Sequence, residues 1–311
     1  MSFTTTIKNH LTKIKMRLMS TYQSDNPSNK LIAWMNKPDS VELSKYWTNK
    51  ILDINDVMTG DNPRSISLNW MGMDSEKLFD SIDQQSTGWK FTKDNVKYTL
   101  NSLGYRGDEP HIQSDYTVLV IGDSHTFGVG LDDTQIWPNH YKLLLQQQHP
   151  NCKVINLSIP GGTNDAMARS ISCAFNIVKP NCVIVCYTYP NRREAIWDSG
   201  ILWQLNTNIP EDQSGLEEDE FQYWFMTINE HTDYYNWMKN HKLINAICRD
   251  THLIETQVTQ LKLIQKQLGT VLQYNDVARD CKHFGPVVHK EFAKKMYEKF
   301  CSLQNKEKKL K

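Results

Sequence analysis

Apolar and polar positions alternate in blocks between residues 114 and 190, and the period of the pattern changes from one block to the next. Three continuous apolar runs, bounded by turn residues, are typical of strands buried on both faces of a parallel sheet. They cover residues 116–122, 152–159 and 181–189. Two intervening stretches, 133–148 and 164–178, have helical periodicity. The alternation predicts a doubly wound α/β fold.

The pattern is less regular after this block. Residues 190–250 are rich in aromatic side chains around an acidic loop at 211–220. We interpret them first as the packed core of an inserted helical cap and second as a lid or sugar-stacking platform. Periodicity then predicts a helix over 255–269, a strand over 270–274 and a closing helix over 287–300. The apolar stripe of the closing helix contains His289, which favours a core histidine over a catalytic one.

Residues 1–113 are polar, with only short apolar pieces, and carry no obvious catalytic motif. Residues 96–109 predict a short strand that runs into a glycine-containing turn. We interpret 1–113 as an N-terminal accessory region, which is either a small domain or an extension wrapped on the main one. The main domain is predicted at 114–305, and 306–311 is predicted to be a basic, solvated tail.

Charge and composition narrow the class of protein. The 311 residues include 35 basic and 35 acidic side chains, so no excess charge points to nucleic acid as a partner. No apolar run approaches the roughly 18 residues that span a bilayer, and the N-terminus lacks the core of a secretory signal. The seven cysteines are odd in number and form no C-x-x-C pair, which predicts reduced thiols. We therefore expect a soluble, cytoplasmic protein without a metal site.

The first candidate for chemistry is Ser124, in the sequence IGDSHTFGVG (121–130). This sequence leaves a predicted buried strand and precedes a helix, and ligands of open α/β sheets bind at the carboxyl ends of strands. Gly122 and Gly128 allow a tight turn around the serine. A serine hydroxyl is a weak nucleophile unless a base takes its proton, so the base has to come from elsewhere in the chain.

The second candidate is the pair Asp280 and His283, in the sequence DCKHFGP (280–286). It follows the last predicted strand and should therefore lie at the same edge of the sheet as Ser124. His283 is the candidate general base. Asp280, three residues earlier, can fold back and hold the imidazole tautomer.

Together, GDSHTFG and DCKHFGP resemble the first and last blocks of the GDSL/SGNH hydrolase family, over roughly residues 114–303. The resemblance implies a flavodoxin-like sheet flanked by helices and a serine hydrolase that cleaves esters without a cofactor. It assigns the catalytic roles to Ser124, His283 and Asp280. The implied partner is a small-molecule or glycan ester, and an O-acetyl sugar is one such substrate.

The resemblance also implies an oxyanion hole, whose donors are less clearly marked. The N–H of Ser124 is one donor, and the sequence NLSIPGGTND (156–165) offers Gly161, with Gly162 next. The family has an asparagine after the third strand in a Gly-x-Asn-Asp block, whereas this chain reads TYPNRRE (188–194). Asn191 is the nearest match, and Asn164 is a competing donor.

Other residues near the motif have two interpretations each. Asp123 is expected to be structural, bonding nearby backbone. His125 and Arg192 are candidate substrate contacts, although we slightly favour pairing of an arginine here with Glu194 or the acidic loop. Three alternatives to a hydrolase stay open: an inactive binding or structural protein of the same fold, an acyltransferase using the same triad, and a subunit that docks through residues 1–113. The oligomeric state is not indicated by the sequence.

Overall fold

The computed structural model divides into two compact units, one of residues 1–51 with 211–226 and the other of 52–210 with 227–311. The structure describes residues 67–82, 91–101, 104–109, 112–196, 202–205, 225–258 and 276–310. All of the helices and strands given below belong to the larger unit. The strand predicted over 270–274, the acidic loop and the N-terminal 66 residues lie outside the described residues.

The centre of the larger unit is a four-stranded parallel sheet. The strands in chain order are β1 (Ser67–Leu68), β2 (Tyr98–Thr99), β3 (Tyr116–Ile121), β4 (Cys152–Asn156), β5 (Cys182–Tyr187), β6 (Arg193–Ile196), β7 (Leu202–Leu205) and β8 (His252–Gln257). The order in the central sheet is β4-β3-β5-β8, so the first strand of the four is internal and the chain winds outward in both directions. This order is the flavodoxin-like arrangement, and it confirms the predicted fold class.

Helices cover both faces of this sheet. They are α1 (Glu76–Ser81), α2 (Ser124–Phe127), a 3₁₀ turn (Asp133–Gln135), α3 (Trp137–Leu145), α4 (Asn164–Val178), α5 (Glu230–Ile247) and α6 (Pro286–Leu310). Alternate residues of β3 point to the two faces: Val118 packs in the core with α3 and α6, and Leu119 packs in the core with α4 and α5. No helix in the described part of the chain is long and apolar enough to cross a membrane.

One element of the second half differs from the prediction. The fourth strand of the sheet, β8, includes residues 255–257, where periodicity predicts the start of a helix. A short apolar run fits both periods, and pairing with β5, from Cys182 opposite His252 to Tyr187 opposite Gln257, selects the strand. In the aromatic-rich segment, α5 covers the sheet, and Trp237 is fully buried beside Tyr187. Trp237 is therefore a core residue, as the first interpretation of this segment has it.

The closing helix follows its predicted stripe. His289, Phe292, Ala293, Met296 and Phe300 are all buried. The helix continues to Leu310, so residues 306–310 are helical rather than an irregular tail.

The segment 67–109 packs on the main domain rather than apart from it. Strand β1 pairs antiparallel with β2, in the strand and turn region predicted at 96–109. Tyr98 and Leu100 form a small core with Phe127 and Val129, which follow the nucleophile motif. This described segment therefore shares a core with the main domain, and the domain boundary at residue 113 stays a prediction.

Candidate active site

The nucleophile candidate lies at the carboxyl edge of the sheet. Strand β3 ends at Ile121, and Ser124 is the first residue of the short helix α2. Asp123 caps this helix, because its side chain accepts a hydrogen bond from the His125 N–H at 3.0 Å. Gly128 ends the helix in the left-handed conformation, with φ of +82°. Both ends of the turn are thus fixed, and Ser124 is held against the end of the strand.

The base candidate lies on an equally tight loop. The Asp280 Oδ1 atom accepts hydrogen bonds from the N–H groups of Lys282 and His283, each at 3.1 Å. Cys281, which lies between Asp280 and Lys282, has a positive φ of +55°, which is unusual for a residue with a side chain. The carboxylate and the imidazole are therefore brought together by the local backbone alone.

A continuous chain of hydrogen bonds joins the two loops. Ser124 Oγ lies 2.8 Å from His283 Nε2, and His283 Nδ1 lies 2.5 Å from Asp280 Oδ2. Ser124 and His283 are each 7% exposed and Asp280 is 1% exposed. Burial favours the neutral form of Asp280, but the hydrogen bond and charge of His283 outweigh it, and the pKa of Asp280 is lowered. An ionised Asp280 favours the proton on Nδ1 and leaves Nε2 free to accept the serine proton.

A buried ion pair lies behind the serine. The Asp123 Oδ2 atom accepts hydrogen bonds from Thr188 Oγ1 at 2.6 Å and from Arg192 Nη1 at 3.1 Å. Burial favours the neutral form of Asp123, but the neighbouring His125 and the Arg192 guanidinium outweigh it, and the pKa of Asp123 is lowered. The structural role expected for Asp123 fits these contacts. Arg192 faces this carboxylate, which lies behind the serine in the protein interior.

Neither arginine of this segment pairs with Glu194, and the acidic loop, the other partner considered for them, lies outside the described residues. Glu194 instead pairs with Arg169 at 2.8 Å, and Arg193 pairs with Asp233 of α5 at 2.8 Å. Strand alternation explains the difference, since neighbouring residues of an extended segment point in opposite directions.

Two of the backbone N–H groups predicted as oxyanion donors, those of Ser124 and Gly161, are not engaged in the hydrogen bonds of the described residues. As the first residue of α2, Ser124 has an N–H without an intrahelical partner. Gly161 has a φ of +74° and is half-buried, and within the described ranges its N–H makes no hydrogen bond. The N–H of Gly162, by contrast, donates to the Ile159 carbonyl at 2.9 Å. Of the two glycine candidates, Gly161 has the unengaged donor.

The two asparagine candidates differ in their surroundings. Asn164 is fully buried and clamps Thr188: its Oδ1 accepts from the Thr188 N–H at 3.0 Å and its Nδ2 donates to the Thr188 carbonyl at 3.2 Å. These bonds tie the start of α4 to the end of β5. Asn191 lies half-buried in the turn after β5. A side-chain donor in the oxyanion hole stays a prediction.

His125 forms a wall of the site. Its ring centre lies 4.4 Å from that of Phe284 and 4.9 Å from that of His283. Burial lowers the pKa of His125 to about 4, although the Asp123 carboxylate opposes this shift, so the ring is neutral at pH 7. Its Nδ1 is buried and has no hydrogen-bond partner among the residues that the structure describes.

Two buried arginines were not predicted. Arg106 donates through Nη1 to the carbonyls of Phe127 and Gly128 and through Nη2 to that of Leu131, which closes the loop after the nucleophile. Arg279 directly precedes Asp280 and is fully buried. One cue was present for Arg279: a basic residue beside the Asp-x-x-His pair. Arg106 has no comparable cue.

Among known proteins, only solved structures match this chain. No model of a known family matches the sequence, and no curated protein is similar to it. Thirty-four chains of solved structures match. They include an esterase from Pseudoalteromonas sp. with 18% identity, which covers 61% of this chain and 100% of its own, with a TM-score of 0.31. A lipolytic G-D-S-L family protein from Desulfitobacterium hafniense has 12% identity, coverages of 58% and 97%, and a TM-score of 0.36. A catalytic variant of an acetylxylan esterase from Geobacillus stearothermophilus has 16% identity, coverages of 59% and 93%, and a TM-score of 0.29.

Proposed function

We propose that this chain is a serine hydrolase of the GDSL/SGNH type that cleaves esters. The observation that carries the proposal is the continuous hydrogen-bond chain from Ser124 Oγ through His283 to the Asp280 carboxylate. A serine paired with a base, and a base oriented by a third group, is the signature of an activated nucleophile. The sheet order supports it as well, because the three residues meet where open α/β sheets bind ligands.

The mechanism follows from these positions. Ser124 Oγ attacks the ester carbonyl carbon while its proton passes to His283 Nε2, and Asp280 stabilises the imidazolium. Collapse of the tetrahedral intermediate breaks the bond to the alcohol oxygen, which takes the proton from Nε2 and leaves. Water then attacks the acyl-serine, giving its proton to His283, and release of the acid regenerates Ser124.

The oxyanion that forms in each step needs donors. The N–H groups of Ser124 and Gly161 are the proposed backbone donors, and Ser124 gains from its place at a helix N-terminus. An asparagine, Asn191 or the second amide hydrogen of Asn164, is the proposed third donor. Removing one such donor typically costs about 3–4 kcal/mol of transition-state stabilisation.

A short acyl group is the proposed acyl part of the substrate. Ser124 is only 7% exposed, and the ring of His125, the next residue, packs against those of His283 and Phe284. This supports an acetyl-like group more than a long chain. An O-acetylated carbohydrate is the leaving-group class that we propose to test first.

The intact hydrogen-bond chain is the observation that disfavours an inactive binding protein. An acyltransferase uses the same acyl-serine, and the two activities differ only in the acceptor. Turnover in the presence of an added alcohol separates them, because a hydrolase releases free acid and a transferase forms the new ester.

The proposal is tested by reaction with a fluorophosphonate, followed by intact mass. We expect one adduct on the wild type and none on Ser124→Ala. Ser170→Ala is a matched control, because Ser170 is also fully buried but lies on α4 away from the site, and it should label like the wild type. Absence of the adduct on folded wild type, or labelling of Ser124→Ala, would contradict the proposal.

A further inference from the structure

The residue that precedes Asp280 is tied to the N-terminal segment. The Arg279 guanidinium donates to both carboxylate oxygens of Asp74, through Nε at 3.0 Å and Nη2 at 2.6 Å. It also donates to the carbonyls of Lys93, at 2.8 Å, and Asn69. Its carbon Cζ lies 3.9 Å from the ring centre of Trp70. The guanidinium is thus bonded to four residues between Asn69 and Val96 and stacks on Trp70. Its own backbone continues into the loop of Asp280 and His283, called the base loop here (residues 280–283).

The Asp74 carboxylate also reaches the loop that carries Ser124, called the nucleophile loop here (residues 122–130), through a tyrosine. The Gly130 N–H donates to Tyr98 Oη at 2.7 Å, and the Tyr98 hydroxyl donates to Asp74. Burial raises the pKa of Tyr98, so the hydroxyl keeps the proton that it donates. A direct bond closes the circuit, because the Arg279 N–H donates to the Gly130 carbonyl at 3.0 Å.

Asp74 and Tyr98 are almost or fully buried, at 1% and 0% exposed. Burying a carboxylate and a guanidinium costs desolvation free energy. Their attraction and hydrogen bonds offset this cost only when each group is fully paired. The circuit is fully paired, and it joins the loop that carries Ser124 to the loop that carries His283.

We propose that this circuit is a positioning clamp: the N-terminal segment, through Asp74 and Tyr98, sets the distance between Ser124 and His283 during the reaction. The inference rests on the proposed function. The segment 67–98 then belongs to the catalytic domain as its support. Neither residue touches the substrate, and both act through the two loops.

Tyr98→Phe is the test variant, because it removes only the hydroxyl and keeps the ring that stacks on Phe127. Tyr187→Phe is the matched control, because it also removes a buried tyrosine hydroxyl bonded to a carboxylate, that of Glu255 on β8 at 2.8 Å. We expect kcat for an aryl acetate to fall about 10- to 100-fold in Tyr98→Phe, with KM little changed, because a misplaced catalytic group affects the reaction and not binding. Tyr187→Phe should keep the wild-type kcat.

A second readout does not depend on turnover. The proton shared by His283 and Asp280 should give a far-downfield proton resonance, and Tyr98→Phe should shift or broaden it while Tyr187→Phe leaves it in place. Wild-type kcat together with an unchanged resonance in folded Tyr98→Phe would overturn the clamp. If the wild type itself fails to react with the fluorophosphonate, the proposed function falls. The resonance alone then tests the clamp: a shifted or broadened signal in Tyr98→Phe supports it, and an unchanged signal overturns it.

Discussion

Two buried arginine–aspartate pairs support the site, and they come from different kinds of sequence. Arg192 pairs with Asp123 inside the nucleophile motif, 69 residues away along the chain. Arg279 pairs with Asp74, 205 residues away, in a segment without any recognised motif. The first pair lies under the serine, at the ends of β3 and β5. The second lies beside the base loop and links it to the N-terminal segment.

The two pairs differ in which parts of the site their carboxylates contact. The carboxylate of the first pair is one residue from Ser124. It bonds to Thr188 and Arg192, so it fixes the turn that carries Ser124 against the residues that follow β5. The carboxylate of the second pair contacts no reacting group and holds two loops at once. We infer that the first pair sets the conformation of Ser124, whereas the second sets the relation between Ser124 and His283.

Breaking the first pair should have the largest effect on stability. Asp123→Asn keeps a side-chain oxygen for the His125 N–H but leaves the Arg192 charge buried without a counter-ion. Removing one partner of a buried pair typically costs about 3–5 kcal/mol. We expect a loss of that size in the free energy of unfolding, measured by urea denaturation, together with slower fluorophosphonate labelling.

Asp233→Asn is the control for this prediction, because it breaks the pair made by the neighbouring arginine, Arg193. Burial raises the pKa of Asp233 in spite of that arginine, so this pair stabilises the ionised form poorly. We expect a loss of about 1 kcal/mol. Equal losses in the two variants would contradict the distinction between them.

The next largest effect expected is a loss of folding stability in acid, caused by two buried histidines. Burial lowers the pKa of His125 to about 4 and lowers that of His289 well below its ordinary value. Below pH 6.5 the unfolded chain therefore binds protons that the folded chain refuses, and stability falls as the pH falls. The His125 shift alone corresponds to about 3 kcal/mol between pH 6.5 and 4.

Urea denaturation across this window checks the prediction, with His125→Phe expected to flatten the curve. Tyr98→Phe, in the clamp, should lower the whole curve without changing its slope, because burial raises the pKa of the phenol that it removes. A wild-type stability that is constant from pH 6.5 to 4 would contradict the assignment.

The parts of this molecule that were predicted are those with a local signal. Strands β3, β4 and β5 are continuous apolar runs, and α4 was predicted from Asn164 to Val178, as the structure has it. The residues of the two motif loops were also identified, because a reacting side chain follows a strand within a few residues. The roles assigned to Ser124, His283 and Asp280 stay predictions until the chemistry is tested.

The parts that were missed depend on distant contacts. The apolar pattern of β8 does not distinguish a strand from a helix, and its pairing with β5 selects the strand. The Asp74–Arg279 pair joins residues 205 positions apart, and no pattern near Asp74 marks it as the partner of a buried cation. The partner of Arg192, the motif carboxylate of Asp123, was also not predicted, and a substrate contact of Arg192 stays a prediction.

Two glycines offer the finest test of the comparison. Gly130 and Gly161 both have positive φ, +80° and +74°, so alanine strains the backbone at each by about 1–2 kcal/mol. They differ in their surroundings. A Cβ at Gly130 would lie 2.8 Å from Ala278 Cβ and 3.0 Å from the Arg279 nitrogen, whereas a Cβ at Gly161 would have nothing within 4 Å.

Gly130→Ala should therefore push the base loop away from the nucleophile loop, with a lower kcat and a larger loss of stability than backbone strain alone gives. Gly161→Ala keeps its N–H in place, so we expect only the loss from strain and a kcat within a few-fold of the wild type. Steady-state kinetics and urea denaturation of both variants measure this. Similar kcat values in the two variants would mean that the direct contact between the two loops does not set the geometry of the site.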